Sequence, residues 1–548
     1  MSFDVLIIKH TIMKTLKQLT IFTFMLYVSI GFSQEKSLQT IQKKYNTLLQ
    51  EQNKGVGVLI KKNNKITTLQ LGNHQLTSEK VFNVGSATKT FTAILFLQDM
   101  EKGNLKLNDS IGTYLSPIKN VDGALTIETL LSHESGLDEV IGKNIREIYY
   151  SKDDALLNSN LLDEIEENNP KLIGKYDYCN TNYLLLGKII EKITDKNYFD
   201  LVRERIIEPL NMEHTYPYVS KNLKNLATPF SGSGKDISEY LDYRYFANIA
   251  NAAGSIASTL TNMEIFYTAL FETEILLKKE SLKLMMNSGN ETYGLGLFKP
   301  DNKDNYFGHG GNNIGYSFRN GYNPKTKKLY LLFANEMYIP FQKNIKKDII
   351  SFINDEEIEG FKKIDKKFNS YAGKYLIKEA NLILEVVVEG DKIFIASEAQ
   401  DFKNQLFQKD ENTFFDPQLG VSLTLITDNN KTLTFRQNGF ETIINRIEKD
   451  TEVNDSKLQN TDKIDVSFYK YIGKFLLKEA NLIFEIISEN EDLFLVVAQQ
   501  NIKSKLFQKN NTTLFETVAG ANLEIIAGNH DALAFSQNGF TTTINRIK

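Results

Sequence analysis

The chain has 548 residues, of which 41% are hydrophobic and 24% charged, so it can bury cores for several domains of about 100–200 residues each. A formal net charge of −4 supplies no basic footprint, which argues against a nucleic-acid partner, and a single cysteine excludes any disulfide within the chain. No metal-ligand spacing and no nucleotide loop stands in the sequence, so neither a metal nor a cofactor is expected.

At the amino end, Met13-Lys14-Thr15-Leu16-Lys17 is a short basic start followed by an apolar run from Leu19 to Phe32, with small residues at Gly31 and Ser33. This is a signal-peptide pattern, with cleavage expected between Ser33 and Gln34 and Met13 as a better start than Met1. The apolar run is shorter than the roughly 20 residues of a spanning helix, and no cysteine stands near the cleavage site to carry a lipid. A periplasmic or secreted chain without a stable membrane anchor follows.

Leu38, Ile41, Tyr45, Leu48 and Leu49 recur at helical spacing. Gly55 to Ile60 reads as a strand, Asn63-Asn64 as a turn and Lys65 to Leu69 as the returning strand of a hairpin. Next, Val81, Phe82 and Val84 lead into Ser86-Ala87-Thr88-Lys89 and the apolar run Phe91 to Leu97, a buried helix that should start at Ser86 and stop near Gly103. Residues three apart share a helix face, which brings Lys89 beneath the Ser86 hydroxyl. A desolvated lysine near the positive end of a helix is driven toward the neutral amine, which can take the serine proton.

Ser-x-x-Lys occurs four times, at Ser33, Ser86, Ser116 and Ser467, but only Ser86 opens a buried helix. Further on stand the chain's single Tyr-x-Asn, at Tyr178-Cys179-Asn180, and its single His-Gly-Gly, at His309-Gly310-Gly311, followed by Asn312. Read alone, each has a structural reading: Ser86 and Asn180 as helix caps, Tyr178 as a core tyrosine, His309 as a turn residue. Their occurrence in this order favours chemistry. The set resembles the serine β-lactamase and penicillin-binding-protein superfamily, most closely its class C-like branch of esterases and D-amino-acid peptidases.

The resemblance extends to Leu130-Leu131-Ser132-His133-Glu134-Ser135-Gly136-Leu137, to Asn182-Tyr183-Leu184-Leu185-Leu186-Gly187 and to Ala253-Gly254-Ser255, and covers about residues 38–350. It implies an α+β domain, an antiparallel sheet flanked by helices with an all-α region, and an acyl-enzyme on Ser86 with Lys89 as base. Tyr178, as phenolate or hydrogen-bonded phenol, would relay the proton. Asn180 would hold Lys89 and a substrate carbonyl, Gly310 and Gly311 would let the strand approach the substrate, and the backbone N–H groups of Ser86 and Asn312 would bind the oxyanion. The substrate would be a small molecule or peptide carrying an amide or ester. Cys179 and His133 read as packing residues. Typical members carry Lys-Thr-Gly where this chain has His309-Gly310-Gly311, so carboxylate recognition is expected to be weak and β-lactam turnover poor beside that of esters or amides lacking that charge.

From about residue 370 apolar and polar residues alternate, and segments recur at a constant offset: Tyr371-Ala372-Gly373-Lys374 as Tyr471-Ile472-Gly473-Lys474, and Gln437-Asn438-Gly439-Phe440 as Gln537-Asn538-Gly539-Phe540. Each copy holds about eight short strand signals, which close most simply into a small, lipocalin-like barrel. The expected organisation is a signal peptide (1–33), a hydrolase domain (34–355) and two barrels (369–448 and 466–548) joined by a charged linker. A protein that is acylated without turnover, with the barrels as binding modules, is the alternative reading. An α/β-hydrolase is rejected, because no Gly-x-Ser-x-Gly elbow accompanies the His-Gly-Gly.

Overall fold

The computed structural model of the protein describes residues 35–49, 54–72, 76–143, 152–166, 168–231, 234–300, 305–337, 342–362, 364–377, 382–398, 402–426, 431–437, 440–447, 464–477, 482–489, 492–497, 502–516, 521–526, 528–537 and 540–547. The signal-peptide segment and nearly all of the linker between the repeats lie outside these residues.

A five-stranded antiparallel sheet forms the first half, in the order β2-β1-β7-β6-β5. Its strands are β1 (Gly55–Lys62), β2 (Lys65–Gly72), β5 (Gly311–Asn313), β6 (Tyr316–Asn323) and β7 (Lys328–Ala334). β1 lies inside the sheet between β2 and β7 and is buried along its whole length, whereas β2, at the edge, is exposed over much of its length. Asn63 and Asn64 turn the first hairpin with φ of 52° and 59°, the left-handed conformation that a tight two-residue hairpin demands.

Helix α1 (35–49) and helix α6 (Gln342–Ile353) cover one face of the sheet. Ile41, Tyr45, Leu49, Ile345 and Ile349 pack there on Val56, Val58, Ile60 and Leu332. The opposite face receives α2 (Thr88–Glu101) and α5 (Leu260–Glu272), beyond which lie the short α3 (Ile127–Leu131) and α4 (Asn180–Thr194). α2 is apolar almost all round because it runs through the centre of this larger core, and Phe91 stacks on Phe266 with centroids 4.0 Å apart. Ser86 does not begin α2 itself. Residues Gly85–Ala87 form a single 3₁₀ turn, and the α-helix starts at Thr88.

A two-stranded ribbon, β3 (Phe82–Asn83) with β4 (Ala257–Ser258), ties this turn to the segment before α5. The segment leading to His309 forms only isolated bridges, Phe307 with Tyr322 and Phe298 with Gly308.

The carboxy-terminal repeats are two closed eight-stranded antiparallel barrels, as the alternation implied. In the first, the last strand (Phe440–Arg446) closes on the first (Gly373–Ile377) through Asn445–Leu376 and Arg446–Tyr375. Its interior is filled by Tyr375, Leu384, Ile395, Leu406, Phe414, Leu423, Phe435 and Ile444. Outside the barrel, Phe407 stacks on Phe361 at 4.1 Å and joins the core beneath α1 and α6.

Candidate active site

The Ser86 turn is fixed by Asn83. Its side-chain oxygen accepts from Gly85 N–H at 2.9 Å, and its amide lies within 3.1 Å of the carbonyls of Gly254, Ser255 and Ile256. The turn therefore faces the Ala253–Ser255 segment, with Ser86 partly exposed between buried neighbours.

Lys89 is fully buried. Its Nζ donates to Asn180 Oδ1 at 2.8 Å and to the Ala253 carbonyl at 2.7 Å, and stands 3.2 Å from Ser86 Oγ. Burial lowers its pKa to about 7, against smaller opposing contributions from Glu139 and Cys179. At that value much of the lysine is neutral at physiological pH. A neutral amine has two protons and one lone pair, and the two fixed oxygens take the protons. The lone pair is left for the Ser86 hydroxyl.

Tyr178 lines the same cleft as Ser86, and its ring centroid lies 5.2 Å from Lys89 Nζ. Burial raises its pKa well above the usual phenol range, so of the two forms considered from the sequence the neutral phenol is favoured. The Tyr178–Asn180 segment is gripped by residues 131–139. Asp177 N–H donates to the His133 carbonyl at 2.8 Å, Cys179 N–H to His133 Nδ1 at 3.1 Å, and Tyr183 Oη to the Leu131 carbonyl at 2.8 Å. Ser135 Oγ donates to Asn182 Oδ1 at 2.5 Å, Thr181 Oγ1 to the Asp138 carbonyl at 2.6 Å, and Asn180 N–H to Glu139.

Because His133 Nδ1 accepts, its proton is on Nε2, and burial keeps the ring neutral. The ring lies 4.2 Å from that of Tyr178, centroid to centroid, so His133 acts on the site by seating the tyrosine. Its backbone φ of +60° is costly for a side chain of this size and is held by these contacts. Replacing His133 by alanine should lower kcat by about tenfold or more through loss of Tyr178 placement, with KM little changed; steady-state kinetics checks this split. Cys179 is buried with its sulfur 3.5 Å from the carbonyls of Leu137 and Asp138, and burial raises its thiol pKa, as an inert packing residue requires.

β5 passes over the Ser86 turn at the closest approach the backbone allows. A Cβ on Gly311 would lie 2.2 Å from the Val84 carbonyl oxygen and 2.4 Å from Ser86 N, and one on Gly85 would lie 2.8 Å from Asn312 N. In the two-residue hairpin joining β5 to β6, Asn313 and Tyr316 form the closing pair, so Asn312–Ser317 is the next, non-hydrogen-bonded pair. Asn312 N–H consequently points away from β6, beside Ser86 N–H. The backbone nitrogens of Ser86 and Asn312 are thus neighbours where β5 crosses the Ser86 turn.

His309 is buried, its Nδ1 lies 2.7 Å from the Gly310 carbonyl, and burial together with the nearby Lys89 lowers its pKa to about 3. It is neutral at pH 7, as expected from its type. Ser86, Tyr178, His309, Gly310, Gly311 and Asn312 line one cleft of about 750 Å³, which continues past Tyr306, Arg319 and Tyr330 to Lys346 of α6. Every residue singled out in the sequence as a site candidate is brought together here: Asn180 binds Lys89 just behind the cleft, and the others line it or, like Lys89, touch Ser86.

Sequence reasoning missed Asn83, Glu139 and Arg319. Asn83 and Glu139 carry no motif. Arg319, ten residues after His309, could have been found by reading β6 as the strand beside the His-Gly-Gly strand.

A family model described as β-lactamase matches residues 39–351. The chain is 26% identical over 407 residues to penicillin-binding protein 4* of Bacillus subtilis (strain 168), covering 67% of this chain and 87% of that protein. It is 27% identical over 224 residues to the teichoic acid D-alanine hydrolase of Staphylococcus aureus, covering 40% of this chain and 52% of that relative. Among solved structures, an octameric penicillin-binding protein homologue from Pyrococcus abyssi superposes with a TM-score of 0.53 at 20% identity, over 76% of this chain and 99% of that one. That last likeness concerns the fold.

Proposed function

The chain belongs to the β-lactamase family of serine hydrolases, and from that premise we propose that it is an exported enzyme that cleaves a peptide, amide or ester through an acyl-enzyme on Ser86. The observation that carries this reading is the buried Lys89 Nζ at 3.2 Å from Ser86 Oγ, with its pKa lowered to about 7. Ser86 Oγ attacks the substrate carbonyl carbon while its proton passes to the neutral Lys89. The carbonyl oxygen, now negative, is held by the N–H groups of Ser86 and Asn312.

Collapse of this intermediate breaks the bond to the leaving group, which takes the proton of the Tyr178 phenol as Lys89 returns one to Tyr178. Water then attacks the acyl-serine along the same proton path in reverse, releasing the acid and restoring the Ser86 hydroxyl. The name of one relative, the teichoic acid D-alanine hydrolase, favours a substrate with a D-amino-acyl group, as an ester or amide. A panel of neutral aryl esters, D-alanyl esters and D-amino-acid amides tests this: multiple turnovers on at least one class are expected, and stoichiometric labelling without product release would instead support the acylated, non-turnover reading.

The same assignment fixes a pH dependence. Only neutral Lys89 can accept the serine proton, so kcat/KM should rise with unit slope as pH increases and level off above a midpoint near 7. His309 adds no limb between pH 5 and 8, since its pKa of about 3 leaves it neutral throughout. A midpoint below 5 would remove Lys89 from the role of base.

We further assign residues 34–355 as the catalytic domain, with barrels over 369–448 and 466–548 as appended units. Among the described residues, Phe407 is the one barrel residue buried in the α1–α6 core, and losing the burial of one phenylalanine costs about 1.5–3 kcal/mol. A chain ending at residue 355 should therefore fold and still be acylated at Ser86. Absence of a cooperative thermal transition in that truncation would make the first barrel part of the same folding unit.

A further inference from the structure

We propose that Glu139 is a positioning residue of the reaction centre: acting through Asn180, its carboxylate is the counter-charge for the ammonium that Lys89 becomes when it takes the Ser86 proton. This role rests on Lys89 being the base, and it adds a third member that orients the base and offsets its charge.

α4 begins at Asn180, and its N-cap, Cys179, makes no side-chain bond to the helix. A carboxylate from a segment about 40 residues earlier fills that place. Asn180 N–H donates to Glu139 Oε2 and Ile141 N–H donates to Oε1 at 2.9 Å, so both oxygens accept, the pattern of an ionised carboxylate. Asn180 turns its other end to the reaction centre, where its Oδ1 accepts from Lys89 Nζ at 2.8 Å. One residue thus links the carboxylate to the base. The first N–H groups of a helix carry partial positive charge, which disfavours an ammonium beside them, and a carboxylate on those groups opposes that effect.

Lys89 is fully buried, so a charge formed on it has no water to offset it. The titratable groups round it are Tyr178 and Tyr183, with ring centroids 5.2 and 5.4 Å from Nζ, and Cys179, His133, His309 and Glu139. Burial keeps the two tyrosines and the cysteine protonated and both histidines neutral. The Ala253 segment presents only its carbonyl, and Tyr198, bonded to Thr92 of α2, is likewise protonated. The acids of α2 itself, Asp99 and Glu101, stand about 15 Å or more along the helix. Among the described residues, the charge that acts on Lys89 at neutral pH is therefore that of Glu139.

Glu139 makes the ammonium less costly and so raises the basicity that burial depresses. Without it the lysine would stay neutral to lower pH but would be a weaker base. Asn180 stands between the two groups, so the proton stays on Lys89 until it passes to the leaving group by way of Tyr178.

The experiment measures, against pH, the second-order rate at which a fluorophosphonate labels Ser86. In that step Ser86 Oγ displaces fluoride from phosphorus and its proton passes to Lys89, so the base is needed but turnover is not. The native rate should rise with pH to a plateau, with a midpoint near 7. In Glu139→Gln the midpoint should fall by about one pH unit, because a charge that raised the lysine is gone, and the plateau should fall roughly threefold as the base weakens. Glu139→Ala, which sets no amide N–H against a backbone N–H, should give the same shift, and a thermal melt of each variant confirms its fold. Glu139→Asp keeps the charge and should keep the midpoint. His133→Ala loosens the same segment without removing a charge, so its labelling should slow with the midpoint in place.

A midpoint unchanged in both variants that remove the charge would overturn the role of Glu139 while leaving Ser86 and Lys89 in theirs. A native protein that is not labelled at Ser86, or whose labelling shows no rise near pH 7, would overturn the acyl-enzyme reading and the part of Glu139 in it together.

Discussion

Ser86→Ala should reduce turnover by about a thousandfold or more and abolish covalent labelling, while the protein unfolds at an unchanged temperature. Losing a nucleophile removes the whole two-step route, and what remains is the small acceleration given by the oxyanion donors and by binding. The stability side follows from position: Ser86 is partly exposed in a single 3₁₀ turn, and among the described residues its hydroxyl is hydrogen-bonded to Lys89 Nζ alone. Asn83, which fixes the turn through backbone groups, is untouched by the change. Kinetics on a neutral ester and a thermal melt of the same sample check both halves.

Gly311→Ala should cost at least about a hundredfold in kcat through geometry alone. The added methyl would lie 2.2 Å from the Val84 carbonyl oxygen, 2.4 Å from Ser86 N and 2.8 Å from the Gly85 carbonyl carbon. All three are backbone atoms, so no side chain can swing aside. β5 or the Ser86 turn must shift by about an ångström, which separates the two oxyanion donors, and a misplacement of that size typically costs about two orders of magnitude. Circular dichroism should remain native, because β5 is a short edge strand and the cores on both sides of the sheet are unaffected. Near-normal kcat in this variant would remove the Asn312 N–H from the oxyanion site.

The parts of the site legible in the sequence were those encoded by local spacing. Ser86 and Lys89 share one turn of chain, Tyr178 and Asn180 flank one residue, and the glycines after His309 mark where a strand must come close. The two barrels were legible for the same reason, since strand alternation and a constant 100-residue offset are one-dimensional signals. Asn83 and Glu139 were not, because their partners are set by tertiary structure: Asn83 reaches Gly254 across 171 residues and Glu139 meets Asn180 across 41. Local pattern also misled at the start of the Ser86 helix. The apolar run after Ser86 predicts a helix beginning at the serine, whereas Gly85, with φ of +55°, tightens the first turn into 3₁₀ geometry.

The central claim, a covalent acyl-enzyme on Ser86, is tested most directly by mass spectrometry of the protein quenched in acid during turnover of a slow ester, followed by peptide mapping. The account predicts one acyl adduct per chain, carried by the peptide containing Ser86 and absent from the Ser86→Ala protein. An adduct on any other residue, or turnover of the ester by Ser86→Ala at the native rate, would contradict it.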